Sequence, residues 1–345
     1  MTTPSPSLDL RRRKQDALAA RLSNLSDEAL ADLVAPGARW RAGWGESAAI
    51  EVDGERVFVK KISLSDLERT PENRRSTANL YDLPLFYQYG VGSAGFGAWR
   101  ELDALTRASD WARSGACEHF PLVYHWRVLP RTAPALTPAQ QRRLDRGVDY
   151  WNGSDRVRAR LEGMLSATAA VVVFLEHAPH DLQSWLGHKL AGGRFGSGAE
   201  ADILQTVRQM RDATAFMNDR GMLHFDLHAY NLLTDGEQVY VGDFGLALCT
   251  DFDLSPEERS FFETHQLYDR AYVERAILQW LSLRPYPPFE WLAALPGWPV
   301  RPPAVEAEVE RCRPVADIFD AFLAKLRENK ATPYPAAELA DALAR

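Results

Sequence analysis

The sequence predicts an α+β chain in two parts, a strand-rich first half and a helical second half, and three observations carry that prediction. Apolar residues alternate in Ala49-Ile50-Glu51-Val52 and again in Val57-Phe58-Val59, on either side of Asp53-Gly54, the signature of a β-hairpin. A continuous apolar run from Ala169 to Leu175 suits a buried strand. Beyond it, Ile203, Val207, Met210 and Met217 recur at helical spacing.

With 345 residues, 46% of them hydrophobic, the chain can bury a sizeable core. Its formal net charge of -7 works against the positive field that nucleic acid or an acidic membrane surface would attract, so neither is an expected partner. Cys117, Cys249 and Cys312 stand far apart, without the short spacing of a zinc site or redox pair, which fits a reducing, cytoplasmic setting. The basic cluster near the N-terminus has no apolar run behind it, and no stretch reaches the roughly 18 apolar residues of a membrane span, so neither secretion nor insertion is indicated.

The elements follow in order. Residues 1–8, rich in Pro, Ser and Thr, are expected to be disordered. Two helices should follow, from Leu10 to Leu22 and from the N-cap Ser26 through Leu33, as an N-terminal extension over 1–37. On the first of them Arg11-Arg12-Arg13-Lys14 reads as a solvated face. A first domain over 38–178 opens with strands from Trp40 to Ile62 and carries two insertions, 67–97 and 130–166, the second Arg-rich and helical. Between them lie a helix from Ala98 to Arg113, with Leu102 and Leu105 on one face, and a strand over 120–129. Gly90-Val91-Gly92-Ser93-Ala94-Gly95 has the letters of a dinucleotide fingerprint but no clear βαβ frame, and is read as a mobile connector able to fold over a site. The helical second domain, 179–345, contains a flexible connector at Gly192 to Gly198, a short strand at Val239 to Val241 and Pro-rich turns such as 284–288.

Chemistry concentrates in two short stretches. Leu223-His224-Phe225-Asp226-Leu227-His228-Ala229-Tyr230-Asn231-Leu232-Leu233 sets Asp226, His228 and Asn231 in a loop between apolar anchors. An aspartate that accepts a hydroxyl proton, with an asparagine five positions on that holds a metal, is what phosphoryl transfer asks of one loop. Asp and Asn also cap helices and turns, so the loop alone does not decide. Val239-Tyr240-Val241-Gly242-Asp243-Phe244-Gly245-Leu246-Ala247 then offers Asp243 as a second carboxylate at the end of a strand, and two such groups at one site imply a cation between them.

A phosphate-binding cation is also required. No lysine occurs between Lys61 and Lys189, and the alternation in Val57-Phe58-Val59-Lys60 puts Lys60 on the face opposite Val59, with Lys61 pointing away. Gly43-Trp44-Gly45 could close backbone amides over phosphates, and Glu101 is a candidate partner for Lys60. After the buried strand, the backbone groups of Glu176 and Ala178 could face an adenine.

Taken in serial order, Gly43 and Gly45, Lys60, Glu101, His224-x-Asp226, Asn231 and Asp243-Phe244-Gly245 resemble the motifs of the protein-kinase-like superfamily over about residues 38–285. The resemblance implies a two-lobed fold, with a five-stranded antiparallel sheet and a helix in the N-terminal lobe, a mainly helical C-terminal lobe, and ATP with Mg²⁺ as cofactors. It implies Asp226 as catalytic base, Asn231 and Asp243 as metal ligands and Lys60 as phosphate clamp, with His228 able to donate to the γ-phosphate. Val-Phe-Val-Lys and Asp-Phe-Gly-Leu-Ala resemble protein kinases, which implies an atypical Ser/Thr kinase with Thr250, Ser255 and Ser260 as candidate autophosphorylation sites. His-x-Asp-x-His-x-x-Asn resembles the aminoglycoside and other small-molecule phosphotransferases, which implies a small hydroxyl acceptor as the alternative. A pseudokinase acting as a binding module is the third reading. Ser255-Pro256-Glu257, the nearest match to the end of an activation segment, begins only ten positions after Gly245, and the acceptor and oligomeric state stay open.

Overall fold

The computed structural model describes residues 8–34, 41, 42, 45–90, 92–133, 137–190, 198–282 and 301–345. Gly43, residues 1–7, most of the 192–198 connector and the turn at 284–288 lie outside them. The architecture is α+β, and the chain divides into two compact units. One holds residues 8–177 and 244–259, the other 178–243 and 260–345.

The first unit begins with α1 (Leu8–Ser23) and α2 (Asp27–Leu33), the latter started by Ser26, whose hydroxyl accepts from the Ala29 amide. Next come β1 (Arg41–Ala42), β2 (Glu46–Val52), β3 (Glu55–Leu64), α3 (Asp66–Arg69), α4 (Ala98–Ser114), β4 (Val123–Pro130), α5 (Pro138–Tyr150), α6 (Asp155–Leu165) and β5 (Ala169–Glu176). The β2–β3 hairpin turns at Asp53 and Gly54, with φ of 50° and 83°, the left-handed pair that matches the twist of two antiparallel strands.

Strand order is β1-β2-β3-β5-β4, antiparallel throughout. Four strands of seven to ten residues make the sheet, and the expected fifth is reduced to the two residues of β1 at its edge. β5 therefore sits between β3 and β4, where burial on both faces explains its unbroken apolar run. Helix α4 lies across β3, β4 and β5, and α1 and α2 pack on β4, so the N-terminal helices belong to the sheet's own unit.

One expectation fails on α1. Arg11 is not solvated: it is 2% exposed, donates to Glu176 Oε1 (3.0 Å) and Oε2 (2.8 Å), and donates to the carbonyls of Glu118 and Phe120. Arg12 and Lys14 keep the surface character expected of the run, pairing with Asp9 and Glu55 while about a third exposed. A basic run gives no sign of which member a helix turns inward; that is set by the carboxylate 165 residues away.

The two insertions share one hydrophobic cluster, in which Leu83, Tyr87 and Phe96 pack with Leu144, Val148, Trp151, Val157 and Leu161. In the stretch expected as a mobile connector, Ala94 and Gly95 are hydrogen-bonded to the cluster. The Tyr87 hydroxyl accepts the Ala94 amide (3.0 Å), Arg160 donates to the Gly95 carbonyl (3.2 Å), and Gln88 donates to the Leu246 carbonyl. Gly95, at φ 72°, approaches so near that a Cβ there would meet the Gly245 carbonyl oxygen at 2.1 Å.

The second unit contains β6 (His180–Asp181), α7 (Leu182–Leu190), α8 (Ala199–Asn218), β7 (Met222–Leu223), β8 (Leu232–Thr234) and β9 (Val239–Val241). Helix α9 (Pro256–Thr264) covers the residues where the chain re-enters it, and α10 (Tyr268–Leu281), α11 (Pro303–Glu328) and α12 (Ala336–Leu343) complete it. Helices α8, α10 and α11 pack on one another, and β6, β8 and β9 form a small antiparallel sheet. Among the described residues no helix is long and apolar enough to cross a membrane.

Candidate functional site

In the first unit the candidate residues gather on β3 and α4. Val57 and Val59 are buried, and the strand alternation turns Lys60 to the opposite face, where its ammonium pairs with Glu101 of α4. Lys60 and Glu101 are 13% and 8% exposed, so the pair is poorly screened by solvent. Lys61 takes a different role, its ammonium donating to the Val34 carbonyl at 2.8 Å. Gly45 lies close against β3: a Cβ there would come within 3.2 Å of the Lys61 carbonyl oxygen and 3.7 Å of the Lys60 side chain.

The start of α4, one turn before Glu101, is held from α3. Gly97 precedes the helix and has no side chain to cap it, so Glu68 Oε1 accepts the Ala98 amide at 2.6 Å instead. The Trp99 indole donates to the Glu68 carbonyl, and Glu68 Oε2 meets Arg160 at 3.2 Å in an ion pair whose members are 1% and 2% exposed. Glu68 was not singled out from the sequence. The Ser65-x-x-Glu68 spacing announced the capping box it completes on α3, but not this second use.

Glu176 differs from its expected role in one respect. Its side chain accepts from Arg11 and from the Leu122 amide, and its own amide donates to the Leu122 carbonyl at 2.8 Å, so that amide is already engaged. Ala178 opens the second unit.

In the second unit the loop between β7 and β8 brings Asp226, His228 and Asn231 together. The His228 amide donates to the Asp226 carbonyl and the Asn231 amide to the His228 carbonyl, closing a tight double turn. Asn231 Nδ2 donates to Asp226 Oδ2 (3.1 Å) and to its backbone carbonyl (2.9 Å). His228 Nε2 lies 3.6 Å from Asp226 Oδ2, and the Asp226 side chain is 24% exposed. Burial raises the Asp226 carboxyl above its ordinary 3.8; His228 and His224 oppose this, and the negative charge of Asp243 adds to it. Asp226 is thus a stronger base than a surface aspartate.

The loop is braced from below. Asp269 of α10, fully buried, accepts the His224 amide at 2.6 Å and the Phe225 amide at 2.9 Å, and receives Asn218 Nδ2 at 2.9 Å. His224 Nδ1 accepts the Asp226 amide (3.2 Å) while its Nε2 lies 2.9 Å from the Gly242 carbonyl, a pair of contacts that requires the proton on Nε2. The Gly242 amide donates to the Asn231 carbonyl, tying the end of β9 to the same loop. Phe225 and Asp243 both stand in the left-handed region, at φ 64° and 58°, where non-glycine residues are rare outside sites that need them. The sequence pointed to neither Asp269 nor Asn218; the available signal was a carboxylate amid the apolar residues of α10.

The donor set fits a hard cation. Asn231 turns its amide nitrogen to Asp226, which leaves its oxygen as the ligand atom, and Asp243 is an exposed carboxylate. No group of three or more His, Cys, Asp or Glu side chains is gathered as a metal cage among the described residues. Asn231 and Asp243 are the residues that could hold a cation here, and the charge neutralisation it would supply is the chemistry of such a site.

No protein-family model matches the chain, and no curated protein matches it in sequence.

Proposed function

We propose that the chain is an ATP- and Mg²⁺-dependent phosphotransferase with a hydroxyl acceptor and a protein-kinase-like, two-lobed fold. The observation that carries this is the Asp226 carboxylate, raised in basicity, partly exposed and fixed by Asn231 in a loop that Asp269 braces. Asp226 would orient the acceptor hydroxyl and take its proton. Asn231 and Asp243 would hold Mg²⁺, which supplies charge neutralisation on the phosphates. Lys60, aligned by Glu101, would bind the phosphate oxygens, and Gly43 and Gly45 would supply the loop over them. Glu176 and Ala178 would contact adenine through backbone groups, and His228 would donate to the γ-phosphate.

Among acceptors, protein Ser or Thr is the first reading. Thr250 and Ser260 are exposed hydroxyls, whereas the Ser255 hydroxyl accepts the Glu258 amide at 3.2 Å as a helix cap. A small-molecule alcohol is the second. It is supported by the shortness of residues 244–259, whose buried anchors at Phe252, Leu254 and Glu258 leave little surface for a docked peptide.

Purified protein incubated with γ-labelled ATP and Mg²⁺, beside Asp226→Ala, tests the proposal. Label on wild-type protein alone supports a protein kinase. Asp226-dependent ATP consumption without protein label supports a small acceptor, with water as the default. ATP binding without turnover would leave a pseudokinase binding module and sink the catalytic reading.

A further inference from the structure

Residues 244–259, which follow Asp243, belong to the same unit as α4 and are attached to it by buried contacts. Arg100 stands next to Glu101 on α4. Its Nη2 donates to Glu258 Oε1 at 2.7 Å, and both side chains of this ion pair are 3% exposed. The Arg100 Nε donates to the Thr77 carbonyl at 2.6 Å, and Phe96 and Phe252 flank the guanidinium at 5.1 and 5.6 Å. Glu258 Oε2 accepts the Ser255 amide at 3.0 Å, so each carboxylate oxygen has a donor.

Thr77 adds a second tie. Its hydroxyl and amide donate to Asp253 Oδ2 at 3.1 and 3.3 Å, and the Asp253 amide returns to the Thr77 hydroxyl oxygen at 2.8 Å. Nearer the surface, Arg107 of α4 donates to Asp251 at 2.6 Å. At the other end of the segment Gln88 donates to the Leu246 carbonyl, and the Gly95 backbone lies close against Gly245.

In phosphotransferases of this chemistry the lysine–glutamate pair must be in place before turnover, and a phosphate added near an arginine is one way of ordering the segment that secures it. Here a carboxylate already occupies the arginine. We propose that Arg100 and Glu258 are positioning residues, which hold α4, and with it Glu101 and Lys60, through a contact built into the chain rather than through phosphorylation of residues 244–259. This rests on the phosphotransferase reading above for its catalytic meaning, but the brace itself is a structural claim with its own readout.

Glu258→Gln keeps the size of the side chain and removes the carboxylate paired with the buried guanidinium, leaving Asp253 as the nearby anion. In the full chain, hydrogen exchange over residues 98–102 is expected to quicken roughly tenfold in Glu258→Gln and in Arg100→Gln, with α11 unchanged. The double variant should be no faster than the faster single one, because both remove one interaction. Arg100→Lys, which keeps the charge but loses the bond to Thr77, should quicken exchange as well and serves if the glutamine variants do not fold. Val148→Ala, a core truncation in the same unit, should lower the melting temperature and leave exchange at 98–102 at the wild-type rate. In turnover assays, phosphatase-treated wild type should keep its full rate, and Glu258→Gln should lose roughly tenfold in kcat.

Unchanged exchange over 98–102 in Glu258→Gln, or the same acceleration in Val148→Ala, would overturn the brace. Loss of rate on phosphatase treatment would overturn its independence from phosphorylation. Wild-type protein that never turns over ATP would instead refute the phosphotransferase reading, and the exchange result would still stand.

Discussion

Asp269 Oδ1 lies 2.9 Å from the amide of Phe225, a residue held at φ 64° directly before Asp226. The same carboxylate takes the His224 amide, so two buried donors depend on one side chain of α10. Asp269→Asn turns a donor toward one of those amides. It is expected to cost about 2–3 kcal/mol in urea unfolding and, by shifting Asp226, to lower kcat by about 10² with little change in KM for ATP. A variant that keeps full kcat would show that the brace does not set the position of Asp226.

Asp226 carries a linked prediction. Its folded pKa is raised chiefly by burial, so the ionised form is the one the fold disfavours, and stability from this group declines as pH rises through the raised value. Asp226→Asn should abolish turnover yet raise the melting temperature at pH 7 by a few degrees, with the gain vanishing in acid. A lower melting temperature at pH 7 would contradict the burial argument.

The proposed metal ligands separate from the proposed base by titration. Asp243→Ala should remove Mg²⁺-dependent turnover, whereas Asn231→Asp, which keeps an oxygen ligand but cannot donate to Asp226, should raise the Mg²⁺ concentration needed for half-maximal rate. Substantial activity in Asp243→Ala would refute its assignment.

Arg11 and Arg12 are neighbours with opposite expectations. Arg11→Ala strips Glu176 and two carbonyls of a buried partner and is expected to cost about 3–5 kcal/mol, while Arg12→Ala at the surface should cost about 0–1 kcal/mol. Equal losses in chemical denaturation would refute the burial of Arg11.

His265 sets an acid limb. It stacks on Phe261 at 3.8 Å and on Tyr334 at 4.3 Å, and burial pushes its pKa down to about 4 from 6.5. The fold holds the neutral ring, and the unfolded chain takes up a proton first. Stability is therefore complete above pH 6.5 and falls by about 3 kcal/mol on going to pH 4. His265→Phe should flatten that limb in denaturation curves at pH 7 and pH 5.

What was legible in the sequence was local. The Asp53-Gly54 turn, the Ser26 cap, the apolar run of β5 and the Val239–Val241 strand each depend on a few adjacent residues, and their positions follow from side-chain period and turn chemistry. The Asp226-to-Asn231 loop was legible for the same reason. Glu68, Asp269, Arg100 and Arg11 were not, because each acts through a partner 30 to 165 residues away. A pattern of apolar and polar letters shows that such a residue exists, but not which buried donor it will meet.

The place of β5 between β3 and β4 sets a timetable for synthesis. Neither neighbouring strand can complete its ladder until residues 169–176 have been made, and Arg11 cannot meet Glu176 sooner. At ribosomal rates that delay, 165 residues for the Arg11 pair, is on the order of ten to thirty seconds. For the last part of that interval, once β4 has been made at residue 130, the nascent chain carries two strand edges that only β5 can pair, the kind of exposed edge on which chaperones act.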